Sequence, residues 1–225
     1  MSGSRPFVIT LDGPAASGKS SVGLAAARAL GFRYFDTGLL YRMLTWAALS
    51  HGIEPTDEPG LAHLAEQLTL ELDPEGRVFH DGSDVTEQLQ QPVVDRGVSA
   101  VSAHPAVRAA MRPAQRALIR PPGVVMAGRD IGTVIVPEAP LKIWLSASPE
   151  ERARRRSAQT GEPYERVLDG MRRRDMLDAS RDVAPMAPAA DAVVLDTDGR
   201  QPQQVVADIV RLARARGAVP VSEPA

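Results

Sequence analysis

Short apolar runs, each closed by polar or glycine residues, recur along this chain. Five of them, at 7–11, 33–35, 124–127, 141–145 and 193–195, read as buried parallel strands. Each is strand-length and is bounded by turn-forming residues. Between them the apolar spacing changes to that of helices, at 20–30, at 39–49 (LLYRMLTWAAL), at 107–118 (VRAAMRPAQRAL) and at 201–216. This alternation predicts an α/β fold, a five-stranded parallel sheet flanked by helices. In such sheets ligands sit beyond the carboxyl ends of the strands. The runs end in Asp12 and Gly13, in Asp36, Thr37 and Gly38, in Gly128, Arg129 and Asp130, in Ser146, and in Asp196 and Thr197. Several of these ends are expected to converge on one cleft.

Two segments interrupt the alternation. Within the first, about 54–107, the stretch LTLELDPEGRVFHDG alternates apolar and polar positions around Pro74, Glu75 and Gly76, which predicts a β-hairpin. The second, about 151–188, is crowded with arginine. Insertions this long in an α/β domain are usually substrate lobes or lids. The expected organisation is therefore one domain over 1–225. Its core covers about 6–50, 108–150 and 189–216, and its last residues, 217–225, are expected to fray.

Composition narrows the class. At 225 residues and 44% hydrophobic, the chain is long enough for a sizeable core, and with only 4% aromatics that core must be aliphatic. A net charge of −2 supplies no global attraction to nucleic acid or to a membrane surface. The absence of cysteine excludes disulfides and thiolate metal sites. No apolar run approaches the roughly 20 residues of a membrane span, and the N-terminal stretch lacks the apolar centre of a signal peptide. A cytoplasmic protein is expected.

The segment GPAASGKS, at 13–20, fills every fixed position of the phosphate-loop pattern G-x-x-x-x-G-K-[ST]. It stands between an expected strand and an expected helix, where that pattern acquires physical meaning. Backbone N–H groups of Gly13, Pro14's neighbours Ala15, Ala16 and Ser17, and then Gly18, Lys19, Ser20 and Ser21 lie where they would cradle phosphate oxygens at a helix N-terminus. Lys19 is placed to reach the β- and γ-phosphates, and the Ser20 hydroxyl to hold Mg²⁺. Of the 26 lysines and arginines, only Lys19 and Lys142 are lysines. A chain that uses arginine almost everywhere keeps a compact point charge here. A P-loop NTPase fold handling a nucleoside triphosphate is expected.

The loop does not name the reaction. The guanine-reading N-K-x-D pattern is impossible in a chain without asparagine, and no L-S-G-G-Q segment is present. The segment DTDG at 196–199 fits a loose D-x-x-G switch, but on the last strand, where such a switch does not belong. More specific are DTGLLYR at 36–42, GRDIGT at 128–133 and RRRDMLDASRDVAP at 172–185. With these motifs, in this order and spacing from Val8 to about Arg216, the chain resembles the bacterial cytidylate kinases of the nucleoside monophosphate kinase family. Leu39 and Leu40 depart from the usual small residue and Met before Tyr41. Leu177 and Ala179 fill positions often polar in relatives.

The resemblance implies Mg²⁺-dependent transfer of the ATP γ-phosphoryl group to CMP or dCMP. It implies an NMP-binding lobe at about 54–107 and a mobile lid at about 151–188. It places the acceptor phosphate near Arg42, Arg129 and Arg181, and the sugar near Asp178 and Arg174, with Thr37 and Tyr41 lining the same pocket. The base falls near Ser99, Arg108 and Asp130. Bidentate arginines suit a monophosphate dianion. A carboxylate or hydroxyl accepts from the N4 amino group of cytosine, whereas uracil would set O4 against the same acceptor. Lys19, Arg129, Arg174 and Arg181 are the expected catalytic residues. Arg156, and with it Arg152, is a candidate for ATP contact.

Other readings stand beside these. Arg42 and Arg108 lie on expected helices, where solvated arginines are ordinary, and Tyr41 suits a core ring. The run Arg152, Arg154, Arg155, Arg156, Arg172, Arg173 and Arg174 could be a glutamate-laced helix face or a nucleic-acid patch. The absence of interleaved aromatics argues against the latter. The competing functions are a kinase of UMP, AMP or shikimate, and a nucleotide-sensing or nucleic-acid-binding protein. His51, His63, His80 and His104 have no expected role. No nucleic-acid or membrane partner is expected, and a monomer is.

Overall fold

A computed structural model describes residues 5–69, 71–72, 77–181 and 183–219, with the backbone alone at 71–72. In chain order the elements are β1 (Phe7–Asp12), α1 (Lys19–Leu30), β2 (Arg33–Asp36), α2 (Gly38–Ser50), α3 (Glu58–Gln67), β3 (Glu71–Leu72), β4 (Val78–His80) and β5 (Ser83–Asp84). There follow α4 (Pro92–Val101), α5 (Pro105–Ala117), β6 (Gly123–Gly128), β7 (Leu141–Ser146), α6 (Pro149–Thr160), α7 (Tyr164–Ala179), β8 (Val193–Asp196) and α8 (Pro202–Ala215). Contacts divide the chain into two compact units, Met1–Asp36 with Arg116–Ala225, and Thr37–Gln115.

The first unit holds a five-stranded sheet in the order β2-β6-β1-β7-β8 with every pairing parallel. All five expected strands are present, within a residue of the bounds read from sequence. The period of two puts Ile9, Leu11, Val125, Ala127, Leu141, Ile143 and Leu145 on one face. There they pack against Ala26 and Leu30 of α1 and Val205, Ile209 and Ala213 of α8. Register brings the strand ends together: Asp12 pairs with Gly128 and Trp144, Asp36 with Ala127, and Ser146 with Asp196. The polar strand ends thus share one edge of the sheet. The arginine-crowded segment is a helical hairpin, α6 and α7, turning at Gly161 and packed through Ala153, Val167, Leu168 and Met171.

The second unit begins at α2, earlier than the 54–107 insertion read from sequence. The reason is packing: Met43 of α2 shares a core with Val78, Val85 and Leu89. Strands β3, β4 and β5 form a small antiparallel sheet. The turn expected at Pro74, Glu75 and Gly76 lies outside the described residues, but its flanks pair as a hairpin requires, Leu72 with Val78. A second hairpin was not expected. Asp81 (φ 48°) and Gly82 (φ 76°) form a two-residue turn between paired His80 and Ser83, and the Asp-Gly pair is its sequence signal. At the C-terminus, Gly217–Val219 follow α8 outside any helix, and 220–225 lie outside the described residues.

Ile209 is fully buried between α8 and the sheet. Ile209→Ala is expected to cost about 2–5 kcal/mol, read from urea unfolding. A change under about 0.5 kcal/mol would mean α8 does not close this core.

Candidate active site

The phosphate loop takes its shape from three left-handed residues. Gly13 has φ 148°, and a Cβ there would lie 2.2 Å from the carbonyl oxygen of Leu145. Gly18, at φ 96°, precedes the first residue of α1, whose first turn has no acidic residue and no side-chain cap. A helix start built this way presents N–H groups to an anion. Ala16 reaches φ 56° without being glycine and packs on the α6–α7 apolar cluster.

Lys19 is buried, and its Nζ donates to the carbonyls of Gly13 (2.8 Å) and Pro14 (2.6 Å). Burial pushes its pKa well below the ordinary lysine value. The Arg129 guanidinium adds to that and Arg174 contributes less, while the carboxylates of Asp36 and Asp12 oppose it. The Ser20 hydroxyl donates to Asp36 Oδ2 at 3.0 Å. A hydroxyl beside a carboxylate is a hard-oxygen pair that suits Mg²⁺, which binds few protein ligands and completes its shell with water and phosphate.

Several expected acceptor residues meet in this unit. Asp178, near the end of α7, is buried and bridges two arginines: Arg129 Nε donates to it at 3.1 Å and Arg181 Nη2 at 2.6 Å. Arg174 lies one helical turn before Asp178 on α7. Asp130 is buried directly after β6.

Arg152, a candidate for ATP contact, is tied into the protein. It is buried, and its donors go to Ala147 O (3.1 Å), Ala15 O (3.2 Å) and the Asp175 carboxylate (3.3 and 2.5 Å). Through Ala15 it steadies the loop backbone. Arg156 lies half-buried on the same helix. Its neighbour Arg155 binds Glu151 and both oxygens of Thr197 (3.0 and 2.7 Å). The Thr197 hydroxyl also lies 3.3 Å from Ser17 O. The DTDG segment, dismissed as a switch, therefore braces the phosphate loop.

The second unit groups its own residues. Arg42 of α2 donates to Leu89 O at 2.8 Å and pairs with Asp95 of α4, so it is not a solvated surface arginine. Arg108 of α5 is buried, donating to Ser102 O at 2.9 Å with its guanidinium 5.6 Å from the Tyr41 ring centroid. Thr37 is buried at the start of α2, and Ser99 lies half-buried on α4.

Asp12 and Asp36 were not singled out as site residues in the sequence. Their signal was an acid closing each of two apolar strands, which only register turns into a shared location. Asp12 accepts from Ile131 N (2.8 Å) and Gly132 N (2.7 Å). Burial raises its pKa from 3.8 to about 6; the two N–H bonds oppose this, and Asp130 adds to it.

A glycine loop that cups anions at a helix start, on the carboxyl edge of a parallel sheet, defines a phosphate-loop nucleotide-binding protein. The cytidylate kinase family model matches residues 9–215. A protein from Mycolicibacterium paratuberculosis named cytidylate kinase is 46% identical, covering 96% of this chain and 99% of its own. One of the same name from Roseiflexus castenholzii is 46% identical, covering 92% and 93%. The chain belongs to the cytidylate kinase family. A crystal structure of an uncharacterized protein from Eubacterium ventriosum shares the fold, with a TM-score of 0.50 at 11% identity, covering 94% of this chain and 99% of that one. Among the described residues, no helix is long and apolar enough to cross a membrane.

The raised pKa of Asp12 has a defined sign. The stability lent by its protonated form is fully present below about pH 4 and is lost as pH rises through about 6. Asp12→Asn removes this dependence. In urea unfolding between about pH 4 and 7, the wild type is expected to lose stability relative to the variant as pH rises. Parallel curves would contradict the burial argument.

Proposed function

We propose that this protein transfers the γ-phosphoryl group of ATP to CMP or dCMP, giving ADP and CDP or dCDP. Family membership over nearly the whole chain supports the reaction. The observation that carries the chemistry is the charge cluster of the first unit. The buried amine of Lys19 stands in the field of Arg129 and Arg174, while Asp178 ties Arg129 to Arg181. Cations gathered in this way suit a triphosphate donor and a monophosphate acceptor.

The attacking oxygen belongs to the acceptor phosphate and is ionised near neutral pH, so no general base is required. In-line displacement forms its bond to the γ-phosphorus as the bond to the β–γ bridging oxygen breaks. Residues 13–21, with Arg156, hold the donor. Lys19 exchanges its carbonyl contacts for phosphate oxygens. Arg129, Arg174 and Arg181 neutralise charge on the transferring group. Ser20, with Asp36 beside it, would hold Mg²⁺, which would supply charge neutralisation to the phosphates. Arg42 contributes to the acceptor phosphate, Asp178 to the sugar, Thr37 and Tyr41 to the pocket wall, and Ser99, Arg108 and Asp130 to the base. Closure of the α6–α7 hairpin excludes water that would otherwise hydrolyse ATP. We assign the protein to the cytoplasm as a monomer, without a nucleic-acid or membrane partner.

Coupled ADP release with ATP, Mg²⁺ and each of CMP, dCMP, UMP, AMP and GMP tests the assignment. Strong turnover is expected with CMP and dCMP alone. Equal turnover with UMP would sink the account of base selection, and no turnover with any would sink the reaction. Lys19→Ala is expected to lower kcat by about 10²–10³-fold, with melting temperature as the control for folding. Arg108→Met is expected to erase the preference for CMP over UMP, seen as converging kcat/KM values.

A further inference from the structure

The ladder between β1 and β6 ends at the pair Asp12 and Gly128. Beyond it β1 becomes the phosphate loop, and the chain after β6 has no strand to pair with. After Arg129 and Asp130, the N–H groups of Ile131 and Gly132 open a π-helical turn over Ile131–Ile135. Both are taken by the Asp12 carboxylate, one on each oxygen. Little slack exists there: a Cβ on Gly132 would lie 2.8 Å from Thr10 Oγ1 and 3.3 Å from Asp12 Oδ2.

Only a carboxylate meets this demand. It offers two acceptor oxygens and no donor, whereas an amide would turn an NH₂ toward one of the N–H groups. A buried charge is retained in spite of its desolvation cost. Asp12 is also bonded directly to Gly13, whose carbonyl holds Lys19 Nζ. A short, stiff path thus runs from Lys19 through Gly13 and Asp12 to the segment that carries Arg129 and Asp130.

We infer that Asp12 is a positioning residue, whose carboxylate fixes the segment bearing Arg129 and Asp130 against the phosphate loop. It sets the spacing between donor and acceptor without touching either substrate. This rests on the assignment of Arg129 and Asp130 to the acceptor.

The test is Asp12→Asn in the full chain beside wild type, with steady-state kinetics in ATP and CMP and equilibrium binding of a non-hydrolysable ATP analogue. Expected are a fall in kcat of about 100-fold, a rise in KM for CMP of about tenfold, and analogue affinity within about threefold of wild type. Unchanged kcat and KM for CMP, or a loss of donor affinity equal to that for the acceptor, would overturn the inference. Wild type without CMP turnover would instead defeat the acceptor assignment. Should Asp12→Asn fail to fold, Gly132→Ala presses the same segment off Thr10 Oγ1 of β1 and so loosens its hold on Asp12. The same division between kcat and donor affinity is then expected at smaller amplitude, and an unimpaired kcat would overturn the inference.

Discussion

The structure around the phosphate loop depends on holding one buried amine among other cations. Lys19 loses hydration and gains the repulsion of Arg129 and Arg174. In the described structure it is steadied by two loop carbonyls and the more distant Asp12 and Asp36. Such an arrangement gains most when a strongly anionic ligand takes over from the carbonyls. The fold and its chemistry are linked through this residue.

Much of the surrounding polar architecture serves to hold the cations and the loop that bears Lys19. Asp178 keeps two guanidinium groups from dispersing. Arg152 clamps the loop carbonyl of Ala15 while anchored to Asp175. Thr197, itself held by Arg155, supports Ser17 from the last strand's end. These contacts explain why an arginine-rich hairpin occurs in a chain of net charge −2. Part of the arginine works as scaffold, part faces the charge cluster, and Arg154 and Arg172 form exposed pairs with Glu151 and Glu150, which contribute little to stability.

The five strands and the loop were legible because they are local signals. Apolar runs of strand length and a complete glycine-lysine pattern need no knowledge of distant residues. Motif order likewise pointed to the family that the relatives bear out. The Asp81–Gly82 turn was legible too, though it was passed over. Arg42 and Arg108 were ambiguous from spacing alone, since a helical arginine is ordinarily solvated. Their partners lie 53 residues away in one case, Asp95, and 6 in the other, Ser102, with Arg42 half-buried and Arg108 buried.

By itself, then, the sequence determined the α/β alternation, the phosphate loop and the family, because each is written in contiguous residues. Tertiary structure alone decided that Asp12 would clamp Ile131 and Gly132, some 119 and 120 residues on. It also decided that Arg152 would face inward and that Thr197 would brace Ser17 across 180 residues. The physical reason is common to all three. Which buried donor meets which acceptor depends on strand register and helix packing, and neither is encoded in the spacing of residues along one segment.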